Sequence, residues 1–430
     1  MLRVLLVSFL IALGTYYSLQ APFYALLFYL GNAYFRPEDW VSDDIIRSLN
    51  LSFSIGLYLV FVTLLCKKHL AWNGLITFCL LFLVQAILSV VFSPYAEYCW
   101  PYLLEFVKVA VISYLIVVLT TDFARFRLVS IVIVLALGLE QGKQGWFYLI
   151  TKPGGPNINP VPFLGDNNGV ALGMLMLVPL VGLLYQTSHW KWGKILWGIL
   201  FVGCLYRALS TYSRGGFIAA IGMGVAWWLL SFRKLRIGIV IGLILVTIVP
   251  ALPAGFWDRI DTIQTYNETK DASALGRLHF WEVARTMAAA NPIAGVGFNG
   301  FNKAYDDFDF LNGAYGRQRS VHSSYFGVLA ELGYPGLVIF IAILFLSLVA
   351  CVRVRRWAST GRLPTELGKS AIALAAAMIA FIIGGAFLPS QYAENLWHIF
   401  GLTIALRRIA TTSLVTQEEA QRQSNQSIAA

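Results

Sequence analysis

His322 stands directly before a long apolar run, residues 323–350, in the stretch "SVHSSYFGVLAELGYPG". Imidazole is the side chain whose ordinary pKa suits proton transfer near neutral pH. Arg317 and Arg319 precede it in "GAYGRQRS". Two other stretches bring guanidiniums: "STYSRGG", with Tyr212, Ser213, Arg214 and Gly215, and "GRLHFWEVARTMAAANP", with Arg277 and Arg285. A serine before a helix caps it, and the unpaired N–H groups of the first turn attract an anion. Glycine lets that anion come close, and the planar arginine fork matches phosphate oxygens. Several guanidiniums with one histidine suit a ligand of more than one negative charge, such as a pyrophosphate carried on a lipid.

Plainer readings stand beside each of these. A tight turn whose arginine reaches lipid headgroups would use the same residues as Ser213–Gly215, although short outer loops avoid arginine, which favours the anion site. Arg277 and Arg285 equally suit headgroup contacts of an interfacial helix. Arg317 and Arg319 also read as solvated loop residues, and His322 as a helix-start histidine bonded to backbone. In "PFLGDNNGVALG", Asp166, Asn167 and Asn168 read as helix caps or as ligands of sugar hydroxyls. Asp307 and Asp309 form a two-residue acidic pair of a kind that holds metals, but acidic loops are usually solvated. The chain has no His-Glu-x-x-His, no phosphate-loop motif and no Gly-x-Ser-x-Gly, so no metal site or cofactor is assigned. "GVGFNG", residues 295–300, reads as a turn because no strand precedes it.

The elements that must hold these residues are membrane helices. The chain is 58% hydrophobic and only 13% charged over 430 residues, with mean hydropathy +0.69. Lipid, not a soluble core, covers that much apolar surface. Apolar runs predict an all-α polytopic protein of about twelve transmembrane helices, each near ~20 residues. The net charge of +10 comes from basic clusters that follow alternate runs. Lys67-Lys68, Arg125/Arg127, "FRKLR" and "RVRRW" therefore face the cytoplasm, and no basic domain for nucleic acid remains. Both termini then lie inside, provided the first apolar region, interrupted at "SLQAP", crosses once.

The expected organisation is N-terminal transmembrane helices over 1–253, a large outer loop over 254–322, C-terminal helices over 323–410 and a cytoplasmic tail over 411–430. Residues 140–168 form a second long outer segment. Within the large loop, Ser273 caps a helix that Asn291-Pro292 ends, lying flat at the interface with Arg277, Trp281 and Arg285 on one face.

Taken in order, "STYSRGG", "GRLHFWEVARTMAAANPIAGVGFNGF" and "VHSSYFGVLAELGYPGLVIF" resemble the O-antigen ligase and polymerase superfamily. The resemblance covers roughly the second half of the chain, and "FLGDNN" resembles the ligase branch. Ser323 departs from the asparagine common at that place. The resemblance implies a GT-C type glycosyltransferase in the bacterial inner membrane, multi-pass, with a periplasmic site. It implies an undecaprenyl pyrophosphate-linked glycan donor and a lipid A-core acceptor, and neither nucleotide nor metal. It carries the essential histidine onto His322 and the essential arginines onto Arg214 and Arg277. An O-antigen polymerase or a protein O-oligosaccharyltransferase fits the same motifs, and a lipid-linked glycan transporter is a rival of another class. Glu105, Lys108, Arg207 and Glu331, ionisable residues in or near apolar runs, keep the transporter in play.

Overall fold

The computed structural model describes residues 2–37, 50–66, 70–161, 163–248 and 272–429. Lys67, Lys68, His69 and residues 254–271 of the expected loop lie outside them. The described residues form α1 (Leu2–Ser18), α2 (Pro22–Phe35), α3 (Leu51–Leu65), α4 (Gly74–Val91), α5 (Ala96–Leu119), α6 (Phe123–Thr151), α7 (Asn167–Thr187) and α8 (Lys191–Leu209). There follow α9 (Arg214–Leu230), α10 (Lys234–Ile248), α11 (Ala272–Ala290), α12 (Phe301–Phe308), α13 (Ser324–Ser359), α14 (Thr365–Gly384) and α15 (Glu394–Ala429). Their only β pairing is a single bridge between Val161 and Gly165.

Seven of the described helices, α4, α5, α7, α8, α13, α14 and α15, are long and apolar enough to cross a membrane. Shorter apolar helices accompany them at Val7–Ser18, Leu51–Leu65 and Arg214–Leu230. The protein is an all-α, multi-pass membrane protein. Side-chain caps start several helices where the sequence supplies them: Asn73 for α4, Asp122 for α6, Asp166 for α7, Ser213 for α9 and Ser323 for α13. The centre of the bundle is α7 against α14, the two long apolar helices most fully covered by protein. α8 and α9 pack on α7, while α9, α13 and α15 pack on α14.

Four features differ from expectation. The first apolar region is two helices: α1 and α2 are joined by three residues, and Gly14 of α1 packs on Phe28 of α2. Their turn sits at the basic end of the bundle, where the Arg125 guanidinium lies 4.9 Å from the Phe23 ring centroid. α1 therefore starts at the opposite end of the bundle. Secondly, α6 continues to Thr151, so much of the expected outer segment 140–168 is helical. Leu137, Gly138, Gln141, Gly142 and Gly145 recur at helical spacing on its buried stripe. A Cβ on Gly145 would strike the Gly203 carbonyl of α8, so the two helices meet backbone to backbone. Thirdly, Ser273 lies inside the first turn of α11 rather than ahead of it.

The fourth concerns α13, which is two helices. Gly333 has φ 67° and ψ −172°, and Pro335 follows. The Tyr325 and Phe340 rings come within 6.3 Å although fifteen residues apart, a spacing of ~22 Å along a straight helix. The first segment, 324–332, therefore turns sharply against the rest. Carbonyls freed at the break are recovered: Gln85 donates to Leu332 O and Ile293 O, and Ser89 to Glu331 O. α11 and α12 sit over this break on a second apolar core. Phe280, Val283, Ala284 and Met287 of α11 meet Phe301, Ala304 and Tyr305 of α12, with Val321 and Ala330. The apolar face of α11 is thus turned to protein, while Leu278 on the same helix is largely exposed.

Candidate active site

Three helix starts are tied together at one end of the bundle. Ser324, at the start of α13, donates its N–H to Gly385 O at 2.7 Å and its hydroxyl to Leu388 O at 2.6 Å. Both carbonyls belong to the connection between α14 and α15. Phe387, between them, packs on Gly215 at the start of α9, where a Cβ would lie 3.0 Å from the Phe387 Cβ. Gly216 abuts Ala171 of α7, and Asn167 at the start of α7 donates to Thr211 O at 2.9 Å. Ser213 accepts from Gly216 N at 3.1 Å and caps α9. Asp166 accepts from Gly169 N at 2.9 Å and from Asn168 Nδ2 at 3.1 Å. The capping reading holds for Asp166, while Asn167 and Asn168 donate to Thr211 O and to Asp166, and these residues border the cluster.

α11 reaches this place through Trp281. Its indole donates to Val321 O at 3.1 Å and stacks on Phe326, centroids 5.2 Å apart and planes 12° apart. Arg277, one turn earlier on that face, then stands near His322. Burial pushes the His322 pKa below 6.5, and the positive charges of Arg277 and Arg319 push it further down; Asp166 opposes them. Arg277 of α11, Arg319 of the preceding turn and Asp166 at the start of α7 thus lie within electrostatic reach of one imidazole. Phe280 packs beside it, 6.1 Å between centroids, and carries the Arg319 guanidinium at 5.5 Å on its ring. His322 itself has φ 49°, a left-handed conformation uncommon outside glycine. Tyr212 is also left-handed, and its hydroxyl donates to Gly154 O at 2.9 Å, bracing the loop before α7.

Two of the expected guanidiniums are elsewhere. Arg285 pairs with Glu282 at 2.9 Å on the exposed side of α11. Arg317 is exposed on the turn that ends at His322. Arg214 opens α9 beside Gly215, within the cluster of helix starts.

Asp307 and Asp309 do not act as a pair. Asp307 accepts from the Tyr95 hydroxyl. Asp309 accepts from His279 at 2.8 Å and from the N–H groups of Leu311 and Gly313, at 3.0 and 2.7 Å. Burial alone would raise the Asp309 pKa, but those donors hold it below the usual carboxylate range. The His279–Asp309 pair, almost fully buried, pins the 309–315 loop onto α11. Sequence reasoning missed it; the signal was an aspartate followed two to four residues on by turn residues in "DFLNG". "GVGFNG" is the expected turn, with Gly295 and Gly297 at positive φ and Val296 and Gly297 bonded to the carbonyls of Ala330 and Glu331.

What the cluster offers chemically is a desolvated, neutral imidazole beside fixed positive charge. Capped helix starts with glycine at Gly215 and Gly216 add the partial positive ends of three helices. No curated protein matches the chain. Residues 199–341 match the family model described as O-Antigen ligase, and Arg214, Arg277 and His322 all fall inside that match. This segment, 143 of the 430 residues, is what the chain shares with the O-antigen ligase/polymerase superfamily, and the match supports the resemblance.

Proposed function

We propose that the protein is a ligase-type glycosyltransferase, moving a glycan from undecaprenyl pyrophosphate to a sugar hydroxyl of lipid A-core at the periplasmic face of the inner membrane. The observation that supports this reading best is the meeting of His322 with Arg277, Arg319 and three capped helix starts. His322, neutral at neutral pH, takes the proton from the acceptor hydroxyl. The acceptor oxygen attacks the anomeric carbon as the bond to the pyrophosphate oxygen breaks, and the pyrophosphate leaves with that electron pair. Arg214, Arg277 and the start of α9 stabilise the leaving charge. A single displacement inverts the anomeric configuration and needs no covalent enzyme intermediate.

The test is coupling in proteoliposomes carrying lipid-linked glycan and lipid A-core. Wild-type protein forms the coupled lipid. His322→Ala inserts normally and loses transfer by ~10²–10⁴-fold, the usual worth of a general base. Near-normal coupling by a well-inserted His322→Ala removes the base assignment. Elongated lipid-linked glycan without lipid A-core product makes the enzyme a polymerase.

A further inference from the structure

A second polar cavity lies outside the arginine cluster, among α2, α3, α5 and the start of α15. Its volume is about 300 Å³, at the small end of the range for small-molecule sites. Glu105, Lys108, Arg36 and Glu394 line it, with the rings of Phe53 and Phe163. Lys108 donates to Glu105 at 2.6 Å and lies 5.6 Å from the Phe53 centroid. Arg36 is within electrostatic reach of Glu394. Glu105 sits nine residues into α5, ~14 Å along a helix apolar enough to span a membrane. Ionisable residues at such depth are costly and are retained where they serve a ligand or a pathway. Pairing has not sealed this one, for Glu105 remains 71% exposed.

The cavity adjoins the catalytic cluster. Phe163, in its wall, precedes Asp166 by three residues, at most ~10 Å of chain. Glu394 begins the helix that follows the connection holding Ser324. Its chemistry differs from that of the cluster: it offers carboxyl oxygens, which suit a pyrophosphate poorly but accept hydrogen bonds from sugar hydroxyls. Flanking rings suit the C–H faces of a pyranose. Lys108 and Arg36 place positive charge beside those carboxylates.

We propose that this cavity is the acceptor-side glycan subsite, where Glu105 and Glu394 accept hydroxyls of one sugar unit held between Phe53 and Phe163. The assignment rests on the transferase reading above. Equilibrium binding of fluorescent lipid A-core oligosaccharide to the purified full chain tests it without any turnover. Glu105→Gln and Glu394→Gln should each weaken binding at least tenfold. Ala33→Phe, which places a ring in the cavity, should abolish saturable binding. A wild-type chain with no saturable binding overturns the proposal, as do Gln variants that bind within twofold of wild type. Failure of the transferase reading appears separately, as no coupled lipid from wild-type protein in liposomes.

Discussion

The imidazole of His322 is aimed by backbone. A left-handed residue with a Cβ costs roughly 1–2 kcal/mol, and it persists only where its neighbours fix it. Here Val321 is held by Trp281 on one side and Ser324 by Gly385 and Leu388 on the other. The electrostatic surroundings give a prediction with a definite sign. Proton abstraction needs the neutral ring, and burial with Arg277 and Arg319 moves its pKa below 6.5. Transfer should therefore be level at neutral pH and fall only as pH drops below the ordinary histidine range. Arg319→Ala removes one charge that disfavours the imidazolium, so the acidic limb should move to higher pH. The measurement is kcat/KM against pH for both proteins; a wild-type limb at or above 6.5, or an unmoved limb in the variant, contradicts it. The sequence supplied the residue types and their order here. It did not supply the opposing carboxylate of Asp166, because contact between stretches so far apart depends on how α7 and α13 pack.

At the scale of elements, the break in α13 sets the direction of the segment that begins at His322. Apolar composition alone runs 323–350 together, since apolar residues continue on both sides of the break. The signal present was Gly-Tyr-Pro-Gly, residues 333–336, where glycine can leave helical backbone and proline cannot continue the hydrogen-bond ladder. What makes the break stable is remote in sequence: Gln85, Ser89 and the 292–297 turn recover the backbone groups that a broken helix exposes in lipid. The same remoteness hid the true length of α6, whose last turns are helical because Gly142 and Gly145 meet α8. A Cβ on Gly333 would strike the carbonyls of Pro292 and Ile293, in a conformation essentially confined to glycine. Gly333→Ala should cost at least ~1–3 kcal/mol, seen as a lowered Tm in detergent, and should reduce transfer in the protein that remains folded. An alanine variant with unchanged Tm and full transfer would separate the break from catalysis.

Over the whole molecule, two buried ionisable residues tie loops to the bundle. Arg207 is fully buried and donates to Gln141 and to the carbonyls of Asn157 and Asn159, holding the loop that leads to Asp166. Glu331 accepts from Gln391 Nε2 at 3.0 Å, the Tyr392 hydroxyl at 2.8 Å and Phe301 N at 3.4 Å. It thereby joins α12 of the outer module, the break of α13 and the lead into α15. Each ties a loop to a helix. Glu331→Ala would leave those three donors buried without their acceptor, at roughly 1–3 kcal/mol each. The strain falls on the seam between the outer module and the bundle, so α11 and α12 should lose hydrogen-exchange protection before α7 and α14 do. Transfer should fall with it, because Arg277 reaches His322 only while α11 is seated. Glu331→Gln keeps the shape but points a donor at other donors, so it should behave like the alanine variant rather than like wild type. Uniform loss of protection across α7, α11 and α14 would instead make Glu331 a residue of general stability, with no seam of its own.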